Sequence, residues 1–207
     1  MTFRVEEKLY ITKDALFEFR KYINNKGASV IHEKRIVESL YFENKYMQMY
    51  KDSIEGSTPR KKIRIRSYPD QNKNNFYEEV KISSAEGKFK TRSIIDNKGY
   101  DQKINRGIFD TQYGLCNPKL YIKYAREYLK LNDVRITIDN NIEYTNYRNK
   151  LTHKDPRIII EIKTSIKKNI DQLMKIFPFQ RIRFSKYCNG IEINKISWYH
   201  YNNKFYI

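Results

Sequence analysis

Lys62, Arg64 and Arg66 alternate with Ile63 and Ile65, so an extended chain there puts three cations on one face and two β-branched residues on the other. Arginine's guanidinium fork grips oxyanions through paired hydrogen bonds, and lysine adds a point charge. The rhythm recurs. Arg4, Glu6 and Lys8 share a face opposite Val5 and Leu9, and Glu79 and Lys81 alternate with Val80 and Ile82. Lys88, Lys90 and Arg92 share a fourth face, Arg135, Thr137 and Asp139 a fifth, and Glu161 and Lys163, alternating with Ile160 and Ile162, a sixth. Six strands carry charge at every second position.

In an ordinary barrel the apolar faces fill the interior; the inverse is also open to these six, with the apolar faces outward beneath helices and the charged faces lining a wet interior, and that inverse is the expectation here. Two like charges about 6 Å apart at an effective dielectric near 20 repel by roughly 3 kcal/mol. A lining of many cations therefore calls for a polyanion, such as a chain of phosphates. Glu6, Glu79, Asp139 and Glu161 offset part of the repulsion. An acid such as Glu161 cannot grip a polyanion directly, but it fits if a hard divalent cation stands between carboxylate and phosphate oxygens.

The chain has 207 residues, enough for one good core, and the expectation is a single domain over 1–207. Its 41 Lys and Arg against 24 acids give a formal charge of +17, which points to an anionic partner. With 18 Tyr and 11 Phe the chain is too aromatic for a disordered basic tail. Cys116 and Cys188 are far apart and belong to no CxxC pair. No apolar run reaches membrane-span length, and the start leads into a charged strand rather than a signal peptide. The expectation is a soluble, cytoplasmic protein, in which any export of product requires a separate membrane partner.

The elements that position these residues follow in order. After the first strand, Thr12 caps a helix carrying Leu16, Phe19, Tyr22 and Ile23 on one side and ending near Gly27. A strand is expected over 36–42, an irregular or helical piece over 46–50, and then the basic strand from Arg60. A polar turn over 69–75 leads to a strand over 76–82, and a second turn to a strand over 88–95. A helix is expected over about 100–113 with Ile104, Ile108 and Phe109 inward, then strands over 120–126, 134–139, 141–147 and 158–164. The end reads as a helix over 166–177 and a last one capped by Ser185 and running to about 193.

No phosphate-cradling glycine loop, dinucleotide fingerprint or HExxH is present. His32, His153 and His200 stand singly in polar surroundings. The ordered set Arg4-x-Glu6-x-Lys8, Ser39-Leu40-Tyr41-Phe42, Lys62-x-Arg64-x-Arg66, Glu79-x-Lys81, Tyr124-x-Arg126, Arg135-x-Thr137-x-Asp139, Glu161-x-Lys163 and Ser185-Lys186-Tyr187 resembles the VTC domain. That is the catalytic domain of polyphosphate polymerases, within the triphosphate tunnel metalloenzymes, or CYTH-like proteins.

The resemblance implies an α+β fold: an eight-stranded antiparallel β-barrel tunnel with a charged interior, covered by a few helices. It implies Lys8, Arg64, Arg66, Lys81, Arg126, Arg135 and Lys186 as phosphate-holding catalytic residues, with Tyr124 and Ser185 touching phosphate oxygens. Glu161, joined by Glu6, is implied as ligand to a divalent metal, Mn²⁺ or Mg²⁺. Arg4, Lys62, Lys90, Arg92 and Lys163, on the same alternating faces, join the expected substrate contacts. The hydrolytic branches usually carry an acid where this chain has Arg4, a departure that favours the VTC branch.

The implied reaction is transfer of the γ-phosphate of ATP to a polyphosphate chain. Three alternatives stay open: a triphosphatase acting on inorganic or nucleoside triphosphate, a polyphosphate-binding module without turnover, and a nucleic-acid binder. The last is not expected, because the cations alternate with acids rather than forming an exposed run of one sign.

Overall fold

The computed structural model describes residues 4–165 and 179–202. In chain order the elements are β1 (Arg4–Ile11), α1 (Lys13–Asn25), β2 (Ser29–Asn44), α2 (Gln48–Glu55), β3 (Arg60–Tyr68), β4 (Asn72–Ser84) and β5 (Gly87–Ile95). They continue with α3 (Asn97–Arg106), β6 (Ile108–Asp110), β7 (Gly114–Leu131), β8 (Val134–Asn146), β9 (Thr152–Asp155), β10 (Ile158–Ser165) and α4 (Lys186–Asn202). Hydrogen-bonded neighbours follow the order β1-β10-β8-β7-β2-β3-β4-β5, with β6 against β7 and β9 against β8. The fold is α+β. Its main path has the expected eight strands, but among the described residues the path ends at β1 and β5 without a pairing between them, so the expected closed barrel is corrected to a sheet whose hydrogen bonding is open.

The described residues fall into two compact units, one drawn from Met1–Ile36, Tyr124–Ile142 and Asp155–Phe184, the other from Val37–Lys123, Glu143–Lys154 and Ser185–Ile207. In the first, Thr12 Oγ1 accepts from the Ala15 backbone N–H and caps α1, and the spacing of Phe19 and Ile23 puts both in the core. They pack with Leu9 and Ile11 of β1, Leu129 and Leu131 of β7, Ile136 and Ile138 of β8, and Ile158, Ile160 and Ile162 of β10. The antiparallel register sets Glu6 opposite Lys163 opposite Arg135, and Lys8 opposite Glu161 opposite Thr137. Period-two alternation then puts these polar residues on the face away from α1.

In the second unit Ile63 and Ile65 pack with Leu40, Phe42, Met49 of α2, Ile108, Tyr113 and Cys116, and Tyr100 and Ile104 of α3 close over them. Met47 at the start of α2 offers no capping side chain; Glu43 does that work, accepting from the Met49 and Tyr50 backbone N–H groups at 3.2 and 2.8 Å. Across β3, β4 and β5 the register lines up Lys62, Lys81 and Lys90 in one row and Arg64, Glu79 and Arg92 in the next.

Several expected boundaries are corrected. The helix expected over 100–113 is α3, ending at Arg106. Gly107, at φ +77, turns the chain into β6, and a Cβ there would meet the Cys116 carbonyl oxygen at 2.7 Å. Ile108 is accordingly a buried strand residue, and Phe109 points outward, 75% exposed. The two strands expected over 134–147 are one, β8, passing through Asn141 at φ +51. β2 and β4 extend into polar sequence that carries no apolar alternation, and β7 runs on past the expected 126 to Leu131. The helix expected over 166–177 lies outside the described residues, as does the side chain of Arg4, whose backbone begins β1.

Candidate functional site

On the polar face of the second unit the organising group is Glu79, fully buried. Arg64 donates to its Oε2 from Nε at 2.8 Å and from a terminal nitrogen at 2.5 Å, Lys90 Nζ reaches Oε1 at 2.5 Å, and Arg92 Nε lies 3.8 Å away. Burial alone would raise the Glu79 pKa; the charges of Arg64 and Arg66 and the hydrogen bonds outweigh it and bring it down to about 2. One carboxylate thus orients three cations.

The other nitrogens of this face are also aimed. Arg64 donates to the Tyr41 hydroxyl at 2.8 Å, Arg66 Nε to Ser39 Oγ at 3.1 Å, and Lys62 Nζ to Ser185 Oγ at 3.1 Å. Burial would push the Tyr41 phenol up, but Arg64, Arg66 and Lys62 hold it below its ordinary value. The Tyr41 ring stacks on Tyr187, whose hydroxyl donates to Glu43. Lys62 lies 5.4 Å from the Tyr187 ring centroid, and Arg92 3.7 Å from that of Tyr77.

In the first unit Arg126 forks onto Asp139, Nε to Oδ1 at 2.5 Å and a terminal nitrogen to Oδ2 at 2.6 Å, and stands 3.7 Å from Glu161. Lys163 Nζ sits 2.5 Å from Glu161 Oε1 and 3.8 Å from Glu6 Oε2. Lys8 Nζ donates to the Phe184 carbonyl at 2.7 Å and lies 3.7 Å from Glu6. Burial would raise the Glu161 pKa, yet Arg126, Lys163 and Lys8 hold it well below the usual carboxylate range. Glu161 is ionised, and with Glu6 it flanks one ammonium. Beside it in the strand ladder, Thr137 Oγ1 is buried with no hydrogen-bond partner.

The residues expected from sequence divide cleanly. Glu6, Lys8, Tyr124, Arg126, Arg135, Glu161 and Lys163 lie in the first unit, and Lys62, Arg64, Arg66, Lys81, Lys90, Arg92, Ser185 and Lys186 in the second. Tyr124 is buried with the Arg126 guanidinium 5.2 Å from its ring centroid. Lys81 is exposed between Lys62 and Lys90 in the ladder, and Lys186 opens α4 beside Ser185. The residues without an expected role are Ser39, Tyr41 and Glu43, Tyr187, and Tyr128 with Arg35. The alternation Ser39, Tyr41, Glu43 was the available signal for the first three.

The VTC domain model matches residues 3–113 and 105–195. The chain belongs to the VTC domain family. No protein of curated function matches it. Solved structures share the fold of this VTC domain at low identity. A candidate adenylate cyclase from Bacillus halodurans is 13% identical with a TM-score of 0.58, covering 89% of this chain and 94% of its own. A conserved hypothetical protein from Pyrococcus furiosus is 17% identical, with a TM-score of 0.57 over 89% of this chain and 99% of its own. A Hippeastrum protein assigned as an adenylyl cyclase, and described as having a dominant triphosphatase activity, is 13% identical with a TM-score of 0.59 over 91% and 95%. The chain shares the fold of these three structures. Among the described residues of this VTC domain, no helix is long and apolar enough to cross a membrane.

Proposed function

We propose that this VTC domain is a metal-dependent polyphosphate polymerase that transfers the γ-phosphate of ATP to a growing phosphate chain. The observation that carries the reading is the aiming of cations by buried acids: Arg64 and Lys90 by Glu79, Arg126 by Asp139, Lys163 by Glu161. Phosphoryl transfer asks for little covalent chemistry from the protein and much charge placement, and fixed donors meet that need without reorganising. Lys8, Arg126 and Arg135 hold phosphates in the first unit, with Tyr124 adding a hydroxyl. Arg64, Arg66, Lys62, Lys81 and Lys186 hold them in the second, with Ser185 as a further donor and Lys90 and Arg92 at the more exposed margin.

The donor set suits a hard divalent cation. Among the described residues no three His, Cys, Asp or Glu side chains group to hold a metal by themselves. Glu161 and Glu6 would supply two carboxylates around the position that the Lys163 ammonium now takes between them. That number suits Mg²⁺ or Mn²⁺, which complete their shell with waters and phosphate oxygens. When bound, the metal neutralises developing charge on the transferred group. With a metal held there, Lys163 would be free to face a phosphate oxygen, while Asp139 pins Arg126.

The polymerase reading rests on the family and on Arg4 standing where the hydrolytic branches usually carry an acid. The triphosphatase reading is the alternative favoured by the Hippeastrum protein of the same fold. Incubation with ATP and Mn²⁺ or Mg²⁺, followed by phosphorus NMR, separates them. Signals of internal chain phosphates support the polymerase, orthophosphate alone supports hydrolysis, and unchanged ATP with tight binding leaves a binding module.

A further inference from the structure

Nearly every cation discussed so far has a carboxylate, hydroxyl or carbonyl partner; Arg35 and Arg135 are different. Among the described residues neither makes an ion pair or a hydrogen bond, and Arg35 Nε is buried with no acceptor at all. Both guanidiniums instead pack on one ring, Arg35 at 5.4 Å and Arg135 at 5.6 Å from the centroid of Tyr128, which is 6% exposed. The His32 ring meets the same tyrosine edge to face at 5.5 Å. The tyrosine packs against two arginines that no acid among the described residues neutralises.

Their place in the strand ladder says what they are for. Arg135 is the second residue of β8, opposite Lys163, one two-residue step beyond Thr137 opposite Glu161 and two steps beyond Asp139 opposite Ile159. Each step is about 7 Å. The Tyr128 pair therefore lies at the end of the polar face of this unit, past the Lys8, Arg126 and Glu161 cluster. A buried donor without an acceptor is retained at a cost unless something supplies one.

We propose that Arg35, held with Arg135 on Tyr128, forms a subsite for phosphates of a chain longer than triphosphate, so that this end of the face reads chain length. The inference rests on the phosphate-binding reading above. Tyr128 is too enclosed to offer a free ring face to a nucleotide base, whereas the guanidiniums have donors that no protein acceptor among the described residues takes up.

The test compares Arg35→Ala with wild type for binding of inorganic triphosphate and of long-chain polyphosphate, by calorimetry at fixed salt. Long-chain affinity falls by about tenfold, the loss of one charge-assisted contact, while triphosphate affinity is unchanged. Equal losses for both ligands, or none for the long chain, overturn the inference while leaving phosphate binding standing. A wild type that binds neither overturns both readings. If Arg35→Ala melts lower than wild type, Arg35→Gln, which keeps much of the stem over Tyr128, decides by the same two affinities.

Discussion

Replacing Glu79 by Gln removes the negative charge on which Arg64, Lys90 and Arg92 converge and keeps the shape of the side chain. The Glu79 pKa stands at about 2 against an ordinary value of 4.5. At 1.36 kcal/mol per pKa unit that difference corresponds to at most about 3 kcal/mol of stability at neutral pH. Lys90 and Arg92 are partly open to water, which screens their share, so about 2 kcal/mol is the working figure. Because the folded-state pKa lies below the unfolded one, the unfolded chain binds the extra proton as pH falls. The stabilisation is complete above about pH 4.5 and drains away toward pH 2. Urea unfolding of wild type and Glu79→Gln from pH 7 to pH 3 measures it: the gap is about 2 kcal/mol at pH 7 and narrows below pH 4.5. The variant, more cationic, binds inorganic triphosphate at least as tightly as wild type. A variant as stable as wild type at pH 7, or a gap that stays constant to pH 3, refutes the role of Glu79 as the aiming charge.

Other expectations follow from the same geometry. Arg64→Ala with Arg66→Ala weakens triphosphate binding by about tenfold or more without unfolding the chain, since Lys90 and Arg92 still neutralise Glu79; unchanged affinity in equilibrium binding contradicts the phosphate-holding role. Glu161→Gln abolishes metal-dependent turnover yet retains metal-free triphosphate affinity, and a rate near wild type at ordinary Mg²⁺ or Mn²⁺ removes Glu161 from the site. Tyr187→Phe deletes the hydrogen bond to buried Glu43 and lowers stability by about 1.5–3 kcal/mol in chemical denaturation, whereas an unaltered midpoint means that the α2 N–H groups satisfy Glu43 alone.

The strands whose apolar and charged residues alternate, β1, β3 and β10, were legible from sequence because each buries one face under a core of Ile, Leu and Phe; β5 was legible from its alternating cations, although it is exposed along most of its length. The extended parts of β2 and β4 were not, because their sequence is polar and their hydrogen bonds come from neighbouring strands rather than from local pattern. Gly107 and Asn141 show the other limit. One glycine converts an apparently continuous apolar helix into helix and strand, and one asparagine at positive φ looks like a break in a strand that continues. For the site, the alternation gave the faces, and the acids were seen as offsets to the cations. Which acid aims which cation, and the Tyr128 arrangement of Arg35 and Arg135, depend on strand register, which sequence spacing does not specify.

The central claim is that the γ-phosphate of ATP becomes part of a phosphate chain rather than free phosphate. The direct measurement is to incubate the purified protein with Mn²⁺ and ATP carrying radiolabel in the γ-phosphate, then to resolve the products on a polyacrylamide gel. The account predicts label in a ladder of long chains that an exopolyphosphatase degrades. Label found only in orthophosphate contradicts it and makes this VTC domain a triphosphatase.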